Sequence, residues 1–221
     1  MLFDLRGRGR RRTIQGVYLG LALLMGGGLV LFGVGTGTGG GGLLNAFSGN
    51  GSGSNQNQVV SQQEQTALKA VKLNPTSAAA WSGLVQARWT AAGQGSNYNA
   101  ATGTFTASGK KELAGAAQAW QRYLQLTKTP DPNLAVLAAR TYAALGDYSA
   151  EASAWEVETV ATPNQAKGYE CLAASAYAAK QIRKGDLAAS KALALVPKST
   201  RALLKTELQQ AKTQPSVAQH C

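Results

Sequence analysis

One histidine and two cysteines are the residues on which acid–base, nucleophilic or metal chemistry would have to rest in this chain of 221 residues. His220 stands next to Cys221, and Cys171 lies among Leu172 and alanines in a stretch of helical composition. A general base has to come within about 2.6–3.2 Å of the group it deprotonates. His220 meets that condition for a serine or cysteine of the core only if the end of the chain folds back. His220-Cys221 offers a metal two ligands or a partner a mixed disulfide, but an unstructured tail end is the simpler reading. Cys171 reads as a small buried hydrophobe. An oxidising compartment permits the two cysteines to pair. Whether they do is open, and a single pair is no disulfide framework, so the fold is not expected to depend on it. Gly39 to Gly42 lacks the lysine and helix that follow a phosphate-binding loop. Zinc-finger spacing and the aromatic motif of RNA-binding sheets are also missing from the sequence. These residues give no expectation of catalysis, and none of a metal or cofactor.

The elements that would position anything else begin with Arg6, Arg8, Arg10, Arg11 and Arg12, followed by Ile14 to Val34 without a charge. An uncharged apolar run of about 20 residues matches the hydrocarbon thickness of a bilayer. In lipid its backbone must pair internally, which calls for a helix. The arginines hold their end in the cytoplasm and send the rest across. A cleaved leader has a shorter apolar core, of about 7–15 residues. The expectation is therefore an uncleaved anchor at 13–35 behind a basic cytoplasmic tail at 1–12. Gly16 and Gly20 have the spacing at which two membrane helices approach closely, so a homodimer through this helix is a secondary expectation.

Residues 36–60 are dominated by Gly, Ser, Asn, Gln and Thr and read as a flexible linker. From 61 to 213 alanine, leucine and glutamine recur with helical spacing, and 214–221 reads as a disordered tail. Net charge is +11. The first twelve residues carry five arginines against Asp4, which leaves +7 on the remainder. Such a surplus suits anionic surfaces or acidic peptides. Nucleic acid is not expected on the far side of a membrane.

Pro75, Pro163 and Pro197 each end a helical run, as proline must. The step from Pro163 to Pro197 has room for one helix pair, and the step from Pro75 to Pro163 is twice that step with a remainder. Aromatic and apolar residues keep time with it. Trp81 and Leu84 follow Pro75, Tyr169 and Leu172 follow Pro163, and Leu203 follows Pro197. Tyr142 to Tyr148 contains a turn-like Leu145-Gly146-Asp147, and Trp155 precedes Pro163 by about two helical turns. Over roughly Ser61 to Lys212 this resembles the tetratricopeptide repeat, a helix pair with a period of about 34 residues, which the step from Pro163 to Pro197 matches. Val85, Arg88 and Glu151 depart from its pattern, standing where glycine, tyrosine and alanine are usual. The resemblance implies an all-α solenoid of three helix pairs between flanking helices near Gln62–Leu73 and Thr200–Lys212. The remainder beyond whole periods falls in an insertion at 93–109 holding Tyr98 and Phe105, read as passive. Trp81, Leu84, Trp120, Tyr142, Trp155 and Leu172 are expected in the core. Leu203, Leu204 and Leu208 are the expected inward stripe of the last helix, with Lys205, Gln209 and Lys212 wet.

In that family the first helices of the pairs line a concave binding face. Carried over by helical spacing, the face holds Ser82, Gln86 and Trp89, then Asn133, Val136 and Arg140, then Lys167, Glu170 and Tyr177. Arg140 and Lys167 suit a carboxylate or an acidic segment. The implied function is a membrane-anchored scaffold for protein partners outside the cytoplasm. Its layout resembles tetratricopeptide subunits that accompany bacterial secretion machinery. The alternative is a structural envelope protein whose basic domain adheres to anionic wall polymer or lipid.

Overall fold

The computed structural model describes residues 54–221. The arginine cluster, the Ile14–Val34 run and most of the expected linker lie outside them. Among the described residues no helix is long and apolar enough to cross a membrane. The architecture of the described residues is all-α, with eight helices. They are α1 (Ser54–Leu73), α2 (Ala78–Ala92), α3 (Ala107–Leu126), α4 (Pro132–Leu145), α5 (Tyr148–Ala161), α6 (Ala166–Ala178), α7 (Ile182–Leu195) and α8 (Arg201–Thr213). Helix α1 begins inside the stretch expected to be linker. The glycines stop at Gly53, and glutamine tolerates a helix well.

Three pairs, α2 with α3, α4 with α5 and α6 with α7, make the closest helix contacts. The second helix of each pair also packs on the first helix of the next, α3 on α4 and α5 on α6, and α8 closes the series against α6 and α7. Local chemistry sets the ends of these helices. Ser77, Thr106, Asp131 and Asp147 each accept a hydrogen bond from a first-turn amide of the helix they precede. Gly146 ends α4 in the left-handed region at φ 75°. Lys180, one period later in the turn from α6 to α7, takes the same conformation at φ 62°.

The same interval governs packing. In the third pair Gly185 of α7 lies so close to the Tyr177 ring that a Cβ would stand 2.4 Å from it. In the second pair, one period earlier, the large and small residues trade places: Ala143 is on the first helix and Glu151 on the second. Glu151 is fully buried, and the Trp155 indole N–H reaches its Oε1 at 3.4 Å.

Leu84, Trp120, Tyr142, Trp155 and Leu172 are buried, as expected. Trp81 is only half-buried. Its indole N–H donates to the Pro75 carbonyl at 2.8 Å and ties α2 to the turn behind α1. In α8 the inward stripe is Leu204, Leu208 and Ala211, the i, i+4, i+7 set. Leu203 stands about 100° off that stripe and is exposed. Lys212, expected on the wet side, binds Asp186 Oδ1 at 2.8 Å and sits 5.0 Å over the Tyr177 ring.

Two segments are more ordered than the sequence suggests. The insertion contains a short 3-10 turn (Gly95–Asn97) and a two-stranded antiparallel hairpin, β1 (Tyr98–Asn99) and β2 (Thr104–Phe105). Asn97 Nδ2 donates to the Ala91 carbonyl at 2.9 Å, and Thr106 Oγ1 to the Asn97 carbonyl at 3.1 Å. Gly109 lies so tight under Asn97 that a Cβ would stand 2.1 Å from its carbonyl oxygen. Phe105 meets Tyr98 edge-on at 5.2 Å and Trp89 at 6.2 Å.

The second segment is the tail, expected to be disordered over 214–221. It forms a 3-10 helix over Pro215–His220 that packs on α6, α8 and α4. Ala218 is buried, Val217 is half-buried, and Cys221 is disulfide-bonded to Cys171 of α6 across 50 residues. Two small apolar side chains give a short segment something to bury, and the disulfide removes the entropy that would otherwise release it. We call this segment the strap. Replacing Cys221 with serine is expected to lower stability by about 2–4 kcal/mol, read as a shift of the urea midpoint against the oxidised chain. A reductant should reproduce the shift in the parent and leave the variant unmoved.

Candidate functional site

Of the residues expected to line the face of the first helices, α2, α4 and α6, all but Tyr177 are exposed or half-buried. Gln86, Asn133, Arg140 and Lys167 are exposed, while Ser82, Trp89, Val136 and Glu170 are half-buried. Tyr177 is not on this face. It is a core residue whose hydroxyl donates to Asp186 Oδ1 at 2.8 Å. Helical spacing places Tyr177 in line with Glu170 but does not tell which neighbour covers it. Burial, then the hydrogen bond to Asp186, push the phenol well above its usual range. The Lys212 ammonium and the Tyr177 hydroxyl hold the Asp186 carboxyl below its own.

The strap crosses this face and divides it. One cavity, of about 620 Å³, is lined by Trp89 of α2, the hairpin residues Gly103, Thr104 and Phe105, and Lys110 of α3. Arg140, Ala143 and Ala144 of α4 and His220 and Cys221 of the strap complete it. A second, of about 210 Å³, lies on the other side of His220 and Cys221 and includes Lys167 and Glu170 of α6 and Glu207 of α8. Trp89 and Arg140 therefore share a cavity, while Arg140 and Lys167 do not. Lys167 is engaged by Glu170 at 2.8 Å. Among the described residues Arg140 and Lys110 belong to no ion pair between side chains.

The larger cavity joins an aromatic wall to three basic side chains, Lys110, Arg140 and His220, with no acidic side chain in its lining. The one cysteine at its edge is oxidised. Among the described residues no three His, Cys, Asp or Glu side chains gather as a metal site requires. Phe105 and Lys110 were not legible as site residues, while His220 and Cys221 read from sequence as a metal-ligand or disulfide pair at most, and more simply as an unstructured tail end. The aromatics of the insertion were the one signal pointing to it.

A third cavity lies where α5, α6 and α7 meet. It is about 550 Å³ and is bounded by Glu156 of α5, Tyr169 and Leu172 of α6, and Arg183, Lys184, Leu187, Ala188 and Lys191 of α7. Its floor is apolar and its rim basic. Lys184 pairs with Glu156 at 2.8 Å, Lys191 stands 5.8 Å over the Tyr169 ring, and Leu187 is 68% exposed.

Comparison with protein-family models, with curated proteins and with solved structures finds no match to this chain.

Proposed function

We propose that this chain is a membrane-anchored, tetratricopeptide-like scaffold that binds another polypeptide along the face of α2, α4 and α6, outside the cytoplasm, without catalysis. The observation that carries the reading is the strap. A short stretch of polypeptide already lies across that face with a buried alanine and cavities on both sides, so the surface accommodates a peptide. Three helix pairs and a closing helix leave such faces free in stacked folds. The Cys171–Cys221 disulfide supports an oxidising compartment, in keeping with a basic N-terminus retained inside and a domain sent across. Assistance to secretion or envelope assembly is the role this layout suits.

The test is charge reversal at Arg140, with Lys167 reversed separately. The Arg140→Glu chain is expected to lose partners crosslinked in the native membrane, with helix content and membrane insertion unchanged. Lys167→Glu should do less, because Lys167 is tied to Glu170.

The cavity bounded by α5, α6 and α7 favours a second reading, adhesion of the basic domain to an anionic wall polymer or lipid. Neutralising Arg183, Lys184 and Lys191 together would then remove binding to anionic polymer, and that binding would fall steeply with salt. If full partner capture survives Arg140→Glu and vanishes with the α7 variant, the adhesive reading replaces the first.

A further inference from the structure

The cavity shared by the hairpin, α4 and the strap has a chemistry of its own. Trp89 and Phe105 give it an apolar corner, their rings tilted 56° to one another with centres 6.2 Å apart. Lys110 and Arg140 give it positive charge from two separate elements, His220 adds a polar ring from the strap, and none of its lining side chains is acidic. The hairpin is held rigidly enough to keep its wall in place. Asn97, Thr106 and the close contact at Gly109 fix its base, and Tyr98 packs against Phe105 from behind. A volume of about 620 Å³ is in the range that encloses a ligand of drug size or two adjacent side chains.

We propose that this cavity is the anchor point of the partner-binding face and that it takes an aromatic residue next to a carboxylate, presented by an acidic peptide segment of the partner. The inference rests on the scaffold reading and names the ligand for it. The aromatic ring lies against Trp89 and Phe105, where a buried aromatic contributes most to binding. The carboxylate faces Arg140, whose planar fork suits it, with Lys110 adding field. The inserted residues thus supply a wall of the site that the remaining helices lack. The strap supplies another through His220, so an intact Cys171–Cys221 disulfide completes the cavity.

The experiment uses the full-length oxidised chain and three fluorescent dodecapeptides of Gly, Ser and Glu composition, read by anisotropy. One carries a central Phe-Asp-Glu, one replaces the Phe with Ser, and one keeps the Phe and replaces every acid with Gln. The first is expected to bind roughly tenfold tighter than either of the others. Trp89→Ala and Arg140→Glu should each weaken it by about tenfold or more, and Lys184→Glu on α7 should leave it unchanged. Cys221→Ser, with helix content verified, should weaken it severalfold by freeing the His220 wall.

Equal binding of the three peptides overturns the proposal, as does loss of binding through Lys184→Glu with Arg140→Glu silent. Binding of free phenylacetate as tightly as the first peptide overturns it in favour of a small-molecule pocket. If the peptides fail while Arg140→Glu still strips partners from the native chain, this ligand assignment falls and the scaffold reading stands. If Arg140 matters in neither assay, both fall.

Discussion

Truncating Trp155 to alanine is expected to cost about 3–5 kcal/mol of stability, measured as a fall in the urea midpoint at unchanged slope. Trp155 is buried on α5, the helix that packs on both α4 and α6, so its ring fills space between two helix pairs. Removing it leaves a cavity of side-chain size that neighbouring alanines are too small to fill. The loss also strips Glu151 Oε1 of its indole donor. A cost below about 1 kcal/mol would mean that α5 carries little of the packing between the pairs.

The second large effect is a dependence on pH that runs against the common pattern for carboxylates. Burial pushes the Glu151 carboxyl up to about 8, with the Trp155 hydrogen bond opposing the rise. In the unfolded chain a glutamate titrates near 4.5. Between those values the folded chain holds a proton that the unfolded chain has released. Stability is therefore greatest in mild acid, declines as pH rises from about 4.5, and levels off above about 8. The full swing is on the order of 5 kcal/mol. Glu64, held up by burial and by Glu112, slopes the same way, so the comparison needs the Glu151→Gln variant. That variant should match the parent near pH 5 and exceed its stability near pH 8. Parallel profiles for the two chains would sink the account.

The helix pairs were legible because their signals are local. A proline after each run, Gly146-Asp147 in one turn and an aromatic at a fixed step act within one or two turns of chain, and the helices end close to those marks. The large-for-small exchange at Glu151 and Gly185 was visible as a departure, though its resolution was not. That needed the neighbouring helix. Tyr177 shows the same limit. Spacing groups it with Glu170, while its burial comes from Gly185 and Asp186 on α7. The candidate site was half legible. Trp89 and Arg140 were found from helical spacing. Phe105 and Lys110 join them only through an insertion whose order depends on side-chain contacts to backbone at its base. The strap was least legible of all. Nothing local in Pro215 to Cys221 favours structure, and its place is fixed by residues on α4, α6 and α8.

The disulfide that fastens the strap also imposes an order of events in the cell. Cys171 leaves the ribosome 50 residues ahead of Cys221. A disulfide takes seconds to hours to form. Helical domains rich in local contacts fold in microseconds to milliseconds. The three helix pairs therefore have time to assemble while Cys171 is still a thiol on an uncovered face. Each molecule therefore passes through a state in which the strap is not yet fastened to α6.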